Sequence, residues 1–230
     1  MLIAGFQAGP FETNCWILAP GARSEAVIVD PGMNSRDGIR DVLAEQHLRP
    51  VAVMVSHGHM DHMWSVLPVC SGYDIPAWIH PDDRALLTDP YAASWAGTRE
   101  QVTAIMGPVE FGEPDDVREL DDGAQVQIAG MTFTADHAPG HTRGSVAFRL
   151  MPTGTEPLML SGDLLFAGSV GRTDLPGGDA AAMRRSLERV VLSQPDEMVV
   201  LPGHGQTTTI GTERRTNPFL QELSRPGGAW

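Results

Sequence analysis

The chain has 230 residues, 42% hydrophobic and 20% charged, and its 29 acidic against 16 basic side chains give a formal charge of -13. No apolar run approaches the ~18 residues that a membrane helix needs, and so acidic a surface repels phosphate backbones and anionic lipids, so neither a membrane nor a nucleic acid is expected as a partner. All 16 basic residues are Arg, which excludes lysine Schiff-base chemistry and the phosphate-binding lysine of a P-loop.

Short apolar, β-rich runs come first: Cys15-Trp16-Ile17-Leu18, then Ala26-Val27-Ile28-Val29, which the turn residues Asp30-Pro31-Gly32 close. Over residues 35–48, Ile39, Val42 and Leu43 fall at helical spacing, Ser35 can cap the start and Pro50 follows, which predicts an amphipathic helix. The continuous apolar run 51–55 suits a strand buried on both faces. Residues 82–107 carry a helical pattern broken by Pro90 and Gly97, and the acidic stretch 108–123 reads as an exposed connection. Strand patterns return at 125–128, 131–136, 145–150 and 158–160. A helix over about 179–192, a strand over 197–201 and a terminal helix ending near Leu223 follow. No repeat, low-complexity tract or linker divides the chain. Residues 1–230 are therefore expected to form one α/β domain, two packed sheets covered outside by helices.

Five of the eight His, namely His57, His59, His62, His141 and His204, lie in loops that shortly follow β-like runs, where rigid scaffolds present function. The densest cluster is Ser56-His57-Gly58-His59-Met60-Asp61-His62. A core has no use for so many polar groups, whereas neutral His and ionised Asp suit divalent metals such as Zn. Gly58 lets the backbone fold so that alternate residues converge on one point. His141 in Pro139-Gly140-His141-Thr142, Asp163 in Ser161-Gly162-Asp163 and His204 in Pro202-Gly203-His204-Gly205 repeat the setting, each behind a Gly that permits close backbone approach. Together these residues supply seven ligands, enough for two metals. His137 reads as a hydrogen-bonded partner, His80 as a turn residue before Pro81, and His47 as a solvated helix residue. Cys15 and Cys70 read as small hydrophobes that form no disulfide framework. Residues 1–10 lack the pattern of a signal peptide, so a reducing cytoplasm is the expected location. Nothing in the sequence sets an oligomeric state.

Val29-Asp30-Pro31-Gly32, the cluster from His57 to His62, Pro139-Gly140-His141-Thr142, Gly162-Asp163 and Pro202-Gly203-His204-Gly205 together resemble the metallo-β-lactamase-fold hydrolase superfamily, particularly its glyoxalase II-like (hydroxyacylglutathione hydrolase) members. Gly171-Arg172-Thr173-Asp174 is similar to a segment of single-domain glyoxalase II-like proteins and of persulfide dioxygenases. The resemblance implies a four-layer αββα sandwich with the site along one edge of the paired sheets. It also implies His57, His59 and His141 on one metal, Asp61, His62 and His204 on a second, and Asp163 between them. The ions would be divalent, Zn first, with Fe or Mn as alternatives. The implied activity is hydrolysis of a small acyl thioester such as S-lactoylglutathione by a metal-bridging hydroxide, which Asp61 also positions. Asp30 would orient a ligand imidazole or serve as a turn residue before Pro31. Arg172 and Asp174 would fix a loop near Asp163 or contact substrate. Arg143 would lie beside the metal edge and attract an acidic thiol, or be an exposed turn residue.

An alternative within the same resemblance is a persulfide dioxygenase with one iron on His57, His141 and Asp163. A secreted β-lactamase is the weaker expectation without a signal peptide. Two departures from the family stand out. Met63-Trp64-Ser65 replaces a Gly-rich turn, which alters the wall near the second metal. With the sequence ending soon after Asn217-Pro218-Phe219-Leu220, the extra helical domain that holds glutathione in longer relatives is not expected, which leaves the thiol carrier open.

Overall fold

The apolar runs become strands because each buries side chains on both faces. The computed structural model describes residues 1–93, 99–106, 109–152 and 154–223 and arranges their strands in two six-stranded sheets. The first sheet runs, in spatial and chain order alike, β1 (Leu2–Ala8), β2 (Thr13–Ala19), β3 (Glu25–Val29), β4 (Arg49–Met54), β5 (Ala77–Ile79) and β6 (Val117–Glu119). Its first three strands are antiparallel and the rest pair in parallel. Parallel neighbours need crossovers, and α1 (Ser35–Gln46), α2 (Met60–Met63), α3 (Val66–Tyr73), α4 (Pro81–Arg84) and α5 (Arg99–Met106) lie in those connections. The second sheet runs from β7 (Gln125–Ile128) through β8 (Met131–His137), β9 (Val146–Leu150), β10 (Leu158–Gly162) and β11 (Val199–Pro202) to β12 (Thr208–Thr209). Only β10 and β11 are parallel there, joined through α6 (Ala180–Ser186) and a π-helical turn, Leu187–Val191. Two short helices, α7 (Ile210–Thr216) and α8 (Pro218–Leu223), follow.

Strand periodicity sorts the core into three layers. Ile17, Ile28 and Val53 face outward from the first sheet and pack with Ile39 and Leu43 of α1 and Val66 and Val69 of α3. Their neighbours Leu18, Val27, Val29 and Met54 face inward and meet Phe133, Phe148, Leu158 and Leu160 of the second sheet. Beyond that sheet, Met159 and Val200 pack with Met183, Leu187, Val190, Ile210 and Leu220. Full burial of a side chain such as Phe148 contributes about 1.5–3 kcal/mol. The result is the expected αββα sandwich. No helix among the described residues is long and apolar enough to cross a membrane.

The structure revises several local expectations. Asn34, in the left-handed region at φ 60°, precedes α1, while Ser35 is buried inside the helix with its hydroxyl unpartnered, so Ser35 is not the cap. Pro50 lies within β4, close to its start, where a missing N–H is tolerated. The stretch read as an exposed connection contains β6, and the terminal helix is two helices divided at Asn217-Pro218. Gly97 and Pro108 fall outside the described residues.

Candidate metal centre

All seven metal-competent residues follow strand ends at one edge of the sandwich: His57 and His59 in the loop after β4, Asp61 and His62 in α2 directly behind it, His141 between β8 and β9, Asp163 after β10 and His204 after β11. The backbone stitches the sheets together at this edge. Asn14 N–H donates to Gly203 O (2.7 Å) and Val146 N–H donates to Ser56 O (2.8 Å). The side chains of Asn14 and Trp16 both donate to Pro202 O at 3.0 Å.

Four imidazoles have one ring nitrogen tied back to the protein, which sets the tautomer of the neutral ring and aims the other nitrogen into the cluster. His141 Nδ1 donates to Arg172 O (2.8 Å), His204 Nδ1 to Phe11 O (3.0 Å) and His62 Nδ1 to the Asp30 carboxylate (3.1 Å). His57 Nδ1 donates to Ser56 Oγ (3.0 Å), whose own hydrogen goes to Asp30 (2.7 Å). The remaining nitrogens converge. His59 Nδ1 lies 2.8 Å from His141 Nε2, and His62 Nε2 lies 3.2 Å from His204 Nε2. Lone pairs this close repel unless a cation or proton lies between them. His57 Nε2 and Asp163 Oδ1 are buried without a hydrogen bond, a condition that costs about 1–3 kcal/mol per group. His59 Nε2 is unpartnered as well.

The donor set therefore fits divalent cations. Two groups of three, His57 with His59 and His141, and Asp61 with His62 and His204, each place their ligand atoms within 4.8 Å of one another. Asp163 reaches both: Oδ2 is 3.3 Å from His141 Nε2 and 3.7 Å from His204 Nε2, and Oδ1 is 3.3 Å from His62 Nε2. Asp61 Oδ2 lies 3.2 Å from His204 Nε2 and accepts the Thr13 hydroxyl at 2.8 Å. Burial pushes the His57 imidazole far down and that of His59 to about 3, with the neighbouring imidazoles adding to both. Burial alone would raise the Asp61 and Asp163 carboxyls, yet the imidazoles beside them, His62 foremost, bring Asp163 to about 2 and Asp61 lower still. His57 and His59 neutral and Asp61 and Asp163 ionised are the protonation states that metal binding requires, whereas Asp163 and Asp61 raise His62 and His204, from which a cation would displace a proton.

Two glycines make the convergence possible. A side chain on Gly203 would overlap Asp163 Oδ1 and His62 Cε1, and one on Gly58 would overlap Leu86. Gly203→Ala is expected to fold but to retain less than one metal ion per chain after dialysis, measured by elemental analysis. A variant that keeps the wild-type content would show that the overlap is relieved elsewhere.

The other predicted residues divide. Asp30, 2% exposed, accepts from Ser56 N–H, Ser56 Oγ and His62 Nδ1, so it orients a candidate ligand. The Arg172 side chain is paired with Asp174 at 2.7 and 2.8 Å on the surface, and it is the Arg172 carbonyl that meets His141. Arg143 lines a cavity of about 390 Å³ with Asp82, His137, Gly140, Thr142 and Asp179, and none of the seven residues lines that cavity. His137 bonds to the Arg143 carbonyl at 2.7 Å, and His80 accepts from Asp82 N–H. His80, Asp82 and His137 form a further His/Asp group, but the two rings are stacked at 3.9 Å and 10°. One ion cannot lie in the plane of both stacked rings, so this arrangement does not chelate.

Sequence reasoning missed Thr13, Ser56 and Asp83, whose bonds run to the ligands or their loops. It also missed Glu213, which is buried and holds the loop after Asp163 through Gly168 N–H (2.8 Å) and Asn217 (2.9 Å). Each is a lone polar residue with no local pattern to mark it.

The profile described as Metallo-beta-lactamase superfamily matches residues 8–204. Hydroxyacylglutathione hydrolase GloC of Haemophilus influenzae is 30% identical over 216 residues, 93% of this chain and 95% of that protein. Among solved structures, BLEG-1 B3 metallo-beta-lactamase is 34% identical with a TM-score of 0.82, over 95% of this chain and 99% of its own. TTHA1623, in a di-iron-bound form, is 36% identical with a TM-score of 0.76, over 94% and 100%.

Proposed function

The chain belongs to the metallo-beta-lactamase superfamily, and from that premise we propose that it is a binuclear metal-dependent hydrolase of a small acyl thioester. The observation that carries this reading is the pair of three-donor groups sharing Asp163, with lone pairs converging inside each. His57, His59 and His141 would hold one cation and Asp61, His62 and His204 the other, with Asp163 common to both. Two bound divalent ions, Zn first, would supply hydroxide at neutral pH and polarise a carbonyl.

The chain's own residues set the rest. Asp61 and Asp163 stay ionised, so each presents only acceptor oxygens and turns a water's lone pair away from itself, toward a substrate. The open side of the cluster lies at His204, whose side chain is 28% exposed while that of His141 is 4% exposed. Phe166, edge-on to His204 at 5.9 Å, offers an apolar wall there for an acyl group. A thiolate leaves without a proton, whereas a departing amine needs one, and the seven donors include no group left to supply it. The 30% identity to GloC supports a thioester of the hydroxyacylglutathione type.

A lactam amide is the second reading, supported by the 34% identity to BLEG-1. The one-iron dioxygenase would leave Asp61, His62 and His204 assembled without a role. The test is metal content per chain on protein purified without chelator, with S-lactoylglutathione and β-lactam hydrolysis and oxygen uptake on a thiol persulfide measured in the same sample. Two metals with thioester hydrolysis is the expected result. One iron with oxygen uptake and an intact thioester would overturn it, and lactam turnover alone would move the substrate to the second reading.

A further inference from the structure

The loops that carry His57, His59 and His141 leave different sheets, and one carboxylate that belongs to neither loop joins them. Asp83, in α4, is 1% exposed. Its Oδ2 accepts from Gly58 N–H, the peptide between His57 and His59, at 2.8 Å, and from Thr142 Oγ1, beside His141, at 2.6 Å. Its Oδ1 accepts from Gly144 N–H at 2.8 Å. Thr142 is held in turn by Ser145, whose Oγ accepts the Thr142 N–H at 3.1 Å. The approach is tight: a Cβ on Gly144 would come within 2.7 Å of Asp83 Cγ. Arg84, the next residue, pairs with Glu113 and Glu119, so no cationic side chain bonds to Asp83 among the described residues.

We infer that Asp83 is a positioning residue that sets the spacing between the His57/His59 loop and the His141 loop, and with it the affinity of that trio for its cation. The inference rests on the binuclear reading of the site. Three charge-assisted bonds from two loops fix both at once, and charged acceptors form the stronger class of hydrogen bond. The Asp61, His62 and His204 trio is supported by Thr13, the Phe11 carbonyl and Asp30, the last shared with His57 through Ser56, and none of its three side chains bonds to Asp83, so Asp83 acts on the first site rather than the second. A carboxamide in its place keeps the size but turns an N–H toward one of the three donors.

The experiment is chelator competition with metal content followed per chain, on wild type, Asp83→Asn and the milder Thr142→Val, which removes one of the three bonds. Asp83→Asn is expected to bind one of its two ions about 10–100-fold more weakly, as loss of a ligand's outer support does, while the second ion keeps its wild-type affinity. Thr142→Val should weaken the same ion by a smaller factor, and it decides the matter if Asp83→Asn fails to fold by circular dichroism. In a His204→Ala background, where the single remaining ion sits in the three-histidine site, adding Asp83→Asn should loosen that ion. Two ions held as in wild type, or both loosened equally, overturn the inference and leave the binuclear reading intact. A wild-type chain that binds no metal sinks both.

Discussion

Asp61→Ala is expected to carry one metal ion per chain in place of two and to hydrolyse thioester with a kcat/KM lower by about 10³-fold or more, since metal charge stabilisation is worth several kcal/mol. The substitution removes the only carboxylate that belongs to the second trio alone. His62 and His204 would remain, two neutral nitrogens 3.2 Å apart, with Asp163 drawn as well toward His141. The Thr13 hydroxyl would lose its acceptor. The fold should survive, because Asp61 contributes to none of the three apolar layers. Metal content and steady-state kinetics on the same preparation check the result. The variant also separates the two chemistries proposed for this cluster: iron on His57, His141 and Asp163 would not need Asp61, so unchanged metal content and unchanged turnover would count against the binuclear hydrolase.

The cluster from His57 to His62 was legible because density of polar groups is itself a signal; no packing requirement produces three imidazoles and a carboxylate in six residues. The buried strands were legible for the opposite reason, since β3 and β4 are apolar on both faces. β1 was not, because it is an edge strand in which Ile3, Gly5 and Gln7 are exposed and half-buried residues alternate with them. β6 has one half-buried side chain in three and exists by pairing with β5, a tertiary cause that leaves little trace in local sequence. Asp83 makes the limit sharpest. It stands beside Asp82, whose side chain is 57% exposed, and the two residues are indistinguishable until Gly58, Thr142 and Gly144 arrive from 25 to 61 positions away. Arg143 shows the converse: two residues after His141 in sequence, it lines a cavity to which none of the seven residues contributes.

Stripping the metals is expected to abolish hydrolysis and to lower the melting temperature, both restored by adding the ion back. Binding to the native state alone stabilises by about 4 kcal/mol at a thousandfold excess over Kd, and each kcal/mol moves the midpoint of a chain this size by about 2–4 °C. Calorimetry with and without chelator measures the shift; an unmoved midpoint together with intact activity would refute a metal centre here. The two trios should not empty alike. Burial holds His57 and His59 neutral, His59 to about 3, so at neutral pH these two rings take up no proton in place of the first cation. Burial also works against protonation of His62 and His204, but Asp163 and Asp61 outweigh it and raise both, so protons can stand in for the second cation. A raised imidazole is protonated at higher pH than a lowered one. As pH falls, protons therefore displace the second ion first, and the three-histidine site keeps its ion into more acid solution. Metal content followed through an acid titration should drop in two steps, with the first step absent from Asp61→Ala, which has already lost that ion.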